Sequence, residues 1–257
     1  MESLSEKKTN QSVEKVFTII ETLAEAGEPM RIQEISTALS MSTSTVFRFL
    51  TTLTKCGYIL QDPDTSKYYL SFKICSIANK LDINSGLRDI ARPFLRTLSK
   101  AFEESVCIAI EQDMSMVYLD VVEGQGQILR TMQRIGNIAP MHCTGVGKLF
   151  LTEYSLNKLN KMISMKGLTS FTQNTLNTKE KLMEELKLVK KTGYAYDNEE
   201  CEIGARCVAA PIRAYDGRII AGISVTGPSF RMTDELINKN LSHLIETATL
   251  ISRALGY

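Results

Sequence analysis

The feature that most constrains the fold is a pair of short apolar-periodic segments between Ile32 and Lys55, separated at Ser40-Met41. In the second segment the apolar residues recur at helical spacing, so one face of a helix can pack on a core while the other points to solvent. The positions assigned to the core face are Val46, Phe47, Leu50 and Leu53. Two helices joined by so short a turn predict a helix-turn-helix.

The outward face of the second segment is polar and basic. Its members are Ser44, Thr45, Arg48, Thr51, Thr52 and Lys55. No acidic residue occurs between Glu34 and Asp62, so no carboxylate would repel a phosphate backbone here. Ser42 or Thr43 is expected to cap the start of the helix, and Gly57 to close its end. An ordinary solvated amphipathic helix would show the same pattern, so for this segment alone both interpretations stay open.

The flanking segments extend this unit on both sides. An apolar stripe at helical spacing runs from Val13 to Ala24 and ends at Gly27-Glu28-Pro29, a helix stop signal. Strand-like residues 58–60 and 67–70 are joined by residues 61–66, whose Pro and Asp residues favour a turn. Three helices and a hairpin in this order predict a winged helix-turn-helix over residues 10–72, a known arrangement for reading a DNA groove.

Composition limits what the chain can be. With 257 residues and 44% hydrophobic content, it can fold into one large or two ordinary domains. A net charge of +1 excludes a generally cationic protein, so any DNA binding requires a local patch. The polar start and the short apolar runs predict neither a signal peptide nor a membrane span, which favours a cytoplasmic protein. The cysteines include no C-x-x-C pair, which fits reduced thiols better than disulfides or a zinc site.

The remainder of the chain predicts a linker and a second domain, giving an α+β fold class. A helical stripe at residues 74–81 predicts a linker, assigned to residues 73–86, that pairs with its copy in another subunit or packs on its own domain. Residues 87–257 predict a mixed α/β domain with helices at 87–102, 178–192 and 236–251 and strands at 106–111, 116–122, 128–134, 194–198, 207–213 and 218–225. Asn177 as N-cap with Glu180 at the third helical position predicts a capping box, and Thr233 is expected to cap the last helix.

The most unusual stretch of the second domain runs from Ala139 to Leu151, where a strand end is followed by a glycine-containing turn and a helix start. Free backbone N–H groups at such a start attract an anion. A phosphate-cradling Walker loop needs glycine at position 142 and a hydroxyl residue at 149, where this chain has His142 and Leu149. A small carboxylate that accepts from the amides near Gly145 and Val146 fits better.

A second polar cluster contains Asp197, Glu199, Glu200, Cys201 and Glu202. His142 with Cys143, Cys201 or Cys207 could form a nucleophile pair or bind zinc. The same residues could instead be packed or hydrogen-bonded core residues, and their spacing matches no short metal motif.

Taken together, these stretches resemble the IclR family of bacterial transcription regulators over nearly the whole chain. In the first half the resemblance rests on Glu34-Ile35, Met41, Ser44-Thr45-Val46, Arg48, Leu50, Thr52-Leu53 and Gly57-Tyr58. In the second half it rests on residues 139–148, 193–200, 204–212 and 224–228, together with Arg231. Two domain signatures in the right order are more specific than either alone.

The resemblance implies a winged-helix domain, a linker helix and a GAF-like effector-binding domain, assembled as a homodimer or a dimer of dimers on a double-stranded DNA operator. It also implies a small-molecule effector, commonly a carboxylate or an aromatic acid. By position in the family motifs, Gly145 and Val146 would donate amides to the effector carboxylate. The polar side of the pocket would hold Asp197, Cys207, Ser224 and Thr226, and the apolar side Ile128 and Ala139. We expect no cofactor, no metal and no enzymatic activity.

The expected DNA contacts are Arg31, Ser42, Ser44, Thr45, Arg48, Thr52, Lys55 and Lys67.

Three positions depart from the family pattern. Ser40 stands in the inter-helix turn where glycine is usual, so a left-handed residue there would be strained. Arg31 replaces a small hydroxyl residue, which removes an N-cap and adds a candidate phosphate contact. Thr226 stands where serine is common and adds a methyl group to the pocket.

The leading hypothesis is a ligand-responsive transcriptional regulator, a repressor or an activator, that controls metabolic genes. A rival hypothesis is an enzyme that uses Cys207 or Cys143 with His142, fused to a helical module. A third is a protein-interaction module with a metabolite sensor, since winged helices also bind proteins.

Overall fold

The computed structural model describes residues 10–78, 85–124 and 133–256. The chain divides into two compact units, Met1–Asp82 and Ile83–Tyr257, and each has its own hydrophobic core. Helices with a two-stranded hairpin form the first unit, and helices around a six-stranded antiparallel sheet form the second, which confirms the α+β class. The division at residues 10–72, 73–86 and 87–257 stays a prediction.

The first unit is a winged helix-turn-helix, as predicted. Its elements are α1 Gln11–Ala26, α2 Ile32–Ala38, α3 Thr43–Lys55, β1 Ile59–Gln61, β2 Tyr68–Leu70 and α4 Lys73–Ala78. The helices and the hairpin enclose one apolar cluster, built from Ile19, Leu23, Ile35, Val46, Leu50, Leu53, Ile59 and Tyr68. The hairpin pairs Ile59 with Leu70 and Gln61 with Tyr68, and a further bridge joins Met30 to Tyr68. The wing is therefore fastened to the segment that precedes α2.

The turn and caps around α3 follow the sequence closely. Ser40 has a positive φ of 51°, the strained left-handed conformation expected where the family carries glycine. The Ser42 hydroxyl accepts from the Thr45 amide at 3.3 Å and caps the helix. At the other end Gly57 has a φ of 78°, and the Tyr58 amide donates to the Leu53 carbonyl at 2.9 Å. This 6→1 bond is the closure expected of a glycine-terminated helix.

The second unit is a sheet covered by helices on both faces. Its helices are α5 Ser85–Phe102, α6 Gly145–Leu151, α7 Leu156–Lys166, α8 Lys179–Thr192 and α9 Asp234–Ala254. Its strands are β3 Ser105–Gln112, β4 Ser115–Val122, β5 Ile138–Ala139, β6 Ala195–Asn198, β7 Ala205–Arg213 and β8 Ile219–Pro228, in the spatial order β5-β4-β3-β8-β7-β6. One apolar cluster lies between the sheet, α5 and α9, and another lies between the sheet, α6, α7 and α8.

Three sequence predictions need correction or limitation. The side chain of Phe47 is 55% exposed, so it lies on the outward face of α3 and not on the core face. The N-cap of α8 is Thr178 rather than Asn177. Glu180 is therefore the second helical residue, and the cap accepts from Lys181 instead of completing a box. Most of the strand predicted at 128–134 lies outside the described residues, and its last two residues are in no strand.

The predicted linker helix is present as α4 up to Ala78, the last described residue before position 85. Thr233 caps α9 by accepting from the Leu236 amide, as expected. Among the described helices, none is long and apolar enough to cross a membrane.

Candidate functional site

The outward face of α3 presents cationic and hydroxyl groups to solvent. Arg48 and Lys55 are exposed, and neither forms an ion pair with any residue that the structure describes. An unpaired guanidinium can make bidentate contacts to a phosphate or to the edge of a guanine. These two side chains are therefore available to a polyanion without first losing an internal partner.

The predicted hydroxyl contacts are partly engaged within the helix itself. Ser42 Oγ lies 3.1 Å from Ser44 Oγ and 2.8 Å from Thr45 Oγ1, so the three hydroxyls form one cluster at the helix start. Thr52 Oγ1 donates to the Arg48 carbonyl at 3.0 Å. Phosphate oxygens need a donor, so Thr52 would have to turn its hydroxyl away from that carbonyl to contact a DNA backbone.

The remaining predicted DNA contacts lie on either side of α3 in the sequence. Arg31 is exposed at the start of α2, and its backbone N–H donates to the Glu34 carboxylate at 2.6 Å. Its own side chain makes no capping bond, as the replacement of a hydroxyl residue predicts. Lys67 is half-buried beside β2, at the end of the wing turn.

The wing turn is ordered by one carboxylate. Asp62 accepts from the Thr65 amide at 2.7 Å, the Thr65 hydroxyl at 2.8 Å and the Asp64 amide at 3.0 Å. These bonds, led by the Thr65 amide, lower the pKa of Asp62. The turn was predicted from its Pro and Asp residues, and the Asp62 bonds give it a fixed shape.

A small cavity lies over the middle of the six-stranded sheet, at the start of α6. It measures about 30 Å³, so a bound molecule larger than water requires the side chains around it to move apart. The residues around it are Ala109, Met116, Tyr118, Gln133, Thr144, Gly145, Val146, Asp197, Cys207, Ser224 and Thr226. Of the predicted effector contacts, Gly145, Val146, Asp197, Cys207, Ser224 and Thr226 are brought together here.

The pairing of adjacent strands explains why residues so far apart in sequence meet. Cys207 on β7 is the partner of Asp197 on β6 and of Thr226 on β8. Ser224 precedes Thr226 by two positions and so points to the same face of the sheet. The Sγ of Cys107, on β3, lies 3.0 Å from Ser224 Oγ. A polar row therefore crosses the sheet beneath α6.

The start of α6 supplies backbone donors to the same space. Thr144 caps the helix, because its hydroxyl accepts from the Gly147 amide at 3.3 Å and donates to the Pro140 carbonyl at 2.7 Å. Within the part of the chain that the structure describes, the amides of Gly145 and Val146 have no acceptor. A side chain on Gly145 would lie 3.0 Å from the Ala209 Cβ and 3.5 Å from the Cys207 sulfur, so glycine allows the backbone to approach the sheet closely.

The charge state of the cavity is set by Asp197. Burial raises the pKa of Asp197 to about 7, although its carboxylate accepts from the Glu200 amide at 2.7 Å. Burial also raises the pKa of Cys207 to about 12, so this thiol stays protonated at neutral pH. The cavity therefore offers amide N–H groups, hydroxyls, a thiol and a carboxyl group close to its point of ionisation.

Two lining residues carry polar groups that sequence reasoning missed. Gln133 Nε2 donates to Thr226 Oγ1 at 3.0 Å. Tyr118 also lines the cavity, and burial raises the pKa of its hydroxyl. The period-two alternation of β4 placed Tyr118 on the same face as Met116, which could have revealed it. Gln133 follows residues 125–132, which the structure does not describe, and no sequence pattern points to it.

Two predicted effector contacts are not in this group. Ala139 pairs with Met116 across β4 and β5 and lines a neighbouring cavity of about 210 Å³ with His142, Met162 and Phe171. Ile128 lies outside the described residues.

The cysteine and histidine residues do not form a nucleophile pair. His142 Nε2 lies 3.0 Å from the Thr169 carbonyl, and its ring stacks on Phe171. Cys143 Sγ lies 2.8 Å from Cys201 Sγ. In the described ranges no group of three or more His, Cys, Asp or Glu side chains could hold a metal ion.

A buried lysine in the middle of α6 forms ion pairs with two carboxylates. Lys148 is fully buried and lies 2.7 Å from Glu200 Oε1 and 3.1 Å from Glu185 Oε1. A lysine inside the apolar run from Val146 to Leu151 was the sequence signal for such a pair.

Comparisons with known proteins agree with both halves of this description. Residues 12–63 match the "IclR helix-turn-helix domain" model, and residues 80–253 match "Bacterial transcriptional regulator IclR C-terminal". The chain is 34% identical over 246 residues to the HTH-type transcriptional regulator KdgR of Dickeya chrysanthemi, an alignment that covers 96% of this chain and 80% of that protein.

Solved structures show the same fold. The crystal structure of the Thermotoga maritima IclR has a TM-score of 0.82 and 30% identity, with 96% of this chain and 99% of that chain covered. An IclR homologue from Microbacterium hydrocarbonoxydans, crystallised in complex with 4-hydroxybenzoate, has a TM-score of 0.81, with 95% and 99% of the two chains covered. Its identity is 20%, so this second likeness is one of fold alone.

Proposed function

The chain belongs to the IclR family of bacterial transcriptional regulators, and from this premise we infer that a small carboxylate bound beside Gly145 and Val146 controls how tightly the protein holds its operator. Members of this family bind DNA through the helix-turn-helix domain, carry an effector-binding C-terminal domain and are not enzymes. The rival enzyme hypothesis is therefore set aside, as is the protein-interaction module.

The observation that carries the carboxylate proposal is the presence of two backbone donors and two hydroxyls at one cavity. Among the described residues the amides of Gly145 and Val146 have no acceptor, and they border the same space as the hydroxyls of Ser224 and Thr226. A carboxylate accepts several hydrogen bonds at once and donates none, so it matches such a set. The 4-hydroxybenzoate bound to the Microbacterium homologue is itself a carboxylate, which supports the same class of ligand.

On the DNA side, we propose that Arg48 and the hydroxyls of Ser44 and Thr45 contact base edges or phosphates. Arg31, Lys55 and Lys67 would add phosphate contacts. One α3 face carries only two cations, so a single unit would bind weakly. We therefore propose a homodimer, or a dimer of such dimers, that places paired winged helices on a palindromic operator in the cytoplasm.

The effector acts in this scheme by shifting an equilibrium between arrangements of the paired winged helices. It can do so only if it binds the two arrangements with different affinity, and the operator then changes effector affinity by the same factor. The position of the operator decides whether a given metabolic gene is repressed or activated. The same coupling between effector binding and operator binding is therefore compatible with a repressor or an activator.

The test combines effector binding with operator binding. Footprinting of the full chain on fragments from its own regulatory region should give a symmetric protected site, and native mass spectrometry with small carboxylates should give one added acid per subunit. Each acid that binds should change the operator dissociation constant. A footprint that no bound acid alters would overturn the proposed coupling, and the absence of any bound acid at millimolar concentration would overturn the carboxylate class.

A further inference from the structure

Phe47 is an exposed aromatic residue on the same face of α3 as Ser44 and Arg48. The residue is 55% exposed, and it is not part of the apolar cluster that fills the first unit. Ser44 stands three positions before Phe47 and Thr51 four positions after it, so these three side chains are neighbours on the helix surface. The helix therefore carries an apolar ring beside the polar groups that are proposed to contact DNA.

Thr51 extends this ring with a methyl group. The Thr51 hydroxyl donates to the Phe47 carbonyl at 2.8 Å, so it is already satisfied within the helix. Thr51 is itself exposed, and its methyl group is the part of the side chain that has no hydrogen bond to make. Phe47 and Thr51 together form a small apolar surface, called here the Phe47–Thr51 patch.

An exposed apolar residue by itself needs no explanation, because much of the surface of a folded protein is apolar. Phe47 is distinguished by its position. The second helix of a helix-turn-helix lies in the major groove, and the residues near its N-terminus contact the base edges. Here that helix is α3, which begins at Thr43, and Phe47 is its fifth residue. In the DNA complex, base edges therefore replace water against the Phe47–Thr51 patch.

Only one group on the base edges of the major groove is apolar, and it is the C5-methyl group of thymine. The other groups there donate or accept hydrogen bonds, which a phenyl ring and a methyl group cannot satisfy. A phosphate against the patch would lose part of its hydration without gaining a partner. Contact with a thymine methyl instead removes apolar surface from water on both sides, which is favourable.

We propose that Phe47 is a specificity-determining residue that reads thymine: its ring, with the Thr51 methyl group, packs on the C5-methyl group of one thymine in each operator half-site. This inference rests on the proposed DNA contacts of α3 and adds an apolar contact to the polar ones. Arg48 would hold the helix on the duplex, whereas Phe47 would favour thymine over cytosine at one position, because cytosine has no methyl group there.

The test removes the methyl group from the DNA and the ring from the protein. In the footprinted duplex, each thymine of the protected half-sites is replaced in turn by deoxyuridine, which keeps the base pair and lacks only the methyl group. Binding of the full chain is measured by fluorescence anisotropy. For at least one position, the wild type should lose affinity by about fourfold per half-site, the value of one buried methyl group.

The Phe47→Ala variant completes a double-mutant cycle with the modified duplex. It should bind the unmodified duplex at least about fivefold more weakly than the wild type, and deoxyuridine at the responding position should change its affinity by less than about 1.5-fold. The slope of its affinity against salt should equal that of the wild type, because the ring displaces no counterion from the phosphates.

Two control variants accompany Phe47→Ala. Phe230 belongs to the second unit and is 70% exposed, so Phe230→Ala makes the same change away from α3 and should keep the wild-type response to deoxyuridine. Phe47→Leu keeps an apolar side chain and should keep a response of about twofold. Circular dichroism and sedimentation velocity compare the folding and the self-association of each variant with those of the wild type.

The outcomes separate this inference from the proposed function. A wild type that tolerates deoxyuridine at every position, or a response that persists in Phe47→Ala, would overturn thymine reading and leave operator binding through Arg48 standing. Loss of self-association in Phe47→Ala would place the ring in a protein interface and would also overturn the inference. A wild type without a sequence-specific footprint would overturn the proposed operator binding, and the inference with it.

Discussion

The ammonium of Lys148 lies 2.7 Å from Glu200 Oε1, and both side chains are buried. Burial alone would lower the pKa of Lys148, but the carboxylates of Glu200 and Glu185 outweigh it and raise the pKa. Lys148 therefore stays charged and joins α6 to α8 and to the turn between β6 and β7. The ion pair therefore holds α6 in place, and the first amides of this helix border the cavity lined by Asp197 and Cys207.

We predict that Lys148→Met destabilises the second unit by roughly 3–5 kcal/mol, because it leaves the buried Glu200 carboxylate and the half-buried Glu185 carboxylate without their cation. Urea unfolding followed by circular dichroism measures the change. Lys187 lies on α8 and is exposed, so Lys187→Met should stay within about 0.5 kcal/mol of wild type. A loss below about 1 kcal/mol for Lys148→Met would contradict the structural role given to this pair.

We predict that effector binding depends on pH through Asp197. Its pKa is raised to about 7, so below that pH the carboxyl keeps its proton and can donate to an effector carboxylate. Above it the ionised group repels the ligand, and affinity should fall by up to about tenfold per pH unit. Asp197→Asn should bind with little dependence on pH between 6 and 8.5. Calorimetry in buffers of different ionisation enthalpy should show proton uptake above pH 7 in the wild type only.

The same shift makes a prediction for the protein without ligand. The folded state holds the Asp197 proton more tightly than the unfolded state, whose pKa is near 3.8. The stability that this gives is complete below the unfolded value and is lost as the pH rises through about 7. Asp197→Asn should flatten this part of the stability profile, and an unchanged slope would show that Asp197 titrates normally.

We predict that Arg48→Ala weakens operator binding by about 1–3 kcal/mol, or about fivefold to 150-fold, because it removes a guanidinium on α3 that has no ion-pair partner among the described residues. Lys55→Ala should weaken binding to all duplexes and lower the salt slope by about one. Fluorescence anisotropy on the footprinted duplex measures both effects. Lys187→Ala removes the same charge from the other unit and serves as control. Unchanged binding of Arg48→Ala at physiological salt would exclude α3 as the reading helix.

The sequence predicts a structural feature well when residues that are close together in the chain determine that feature. The left-handed conformations of Ser40 and Gly57 were predicted correctly, and Ser42 is one of the two N-caps expected for α3, because caps and left-handed turns are decided by residues next to each other. Phe47 was misplaced because it adjoins Val46, and helical spacing cannot tell which of two neighbours lies at the edge of an apolar stripe. Asn177 and Thr178 are both good N-caps, and the helix begins one residue later than predicted. Glu180 is therefore one position too early to form a capping box.

The residues around the cavity are harder to predict, because they are far apart in the sequence and meet only in the folded chain. The polar row of the cavity could be proposed only because the chain resembles a known family, since Asp197, Cys207 and Thr226 meet through strand pairing and not through spacing in the sequence. Gln133 was missed for the same physical reason, because it becomes informative only when its burial and its distant partner are known. Lys148 had a sequence signal in its apolar neighbours, but its carboxylate partners, Glu185 and Glu200, are distant in the sequence.

We predict that Gly147→Ala disrupts the start of α6. An added Cβ would lie 2.3 Å from the Met141 carbonyl oxygen and 2.5 Å from Thr144 Oγ1, the cap of the helix. The carbonyl belongs to the backbone and cannot move without shifting the strand end, so we expect a loss of about 3 kcal/mol or more. Urea unfolding measures it, with effector titration on whatever remains folded. Among the described residues nothing lies within 4 Å of a Cβ added at Gly86, in the first turn of α5, so Gly86→Ala should be neutral or slightly stabilising. Equal stability of the two variants would show that close packing at Gly147 does not shape the cavity.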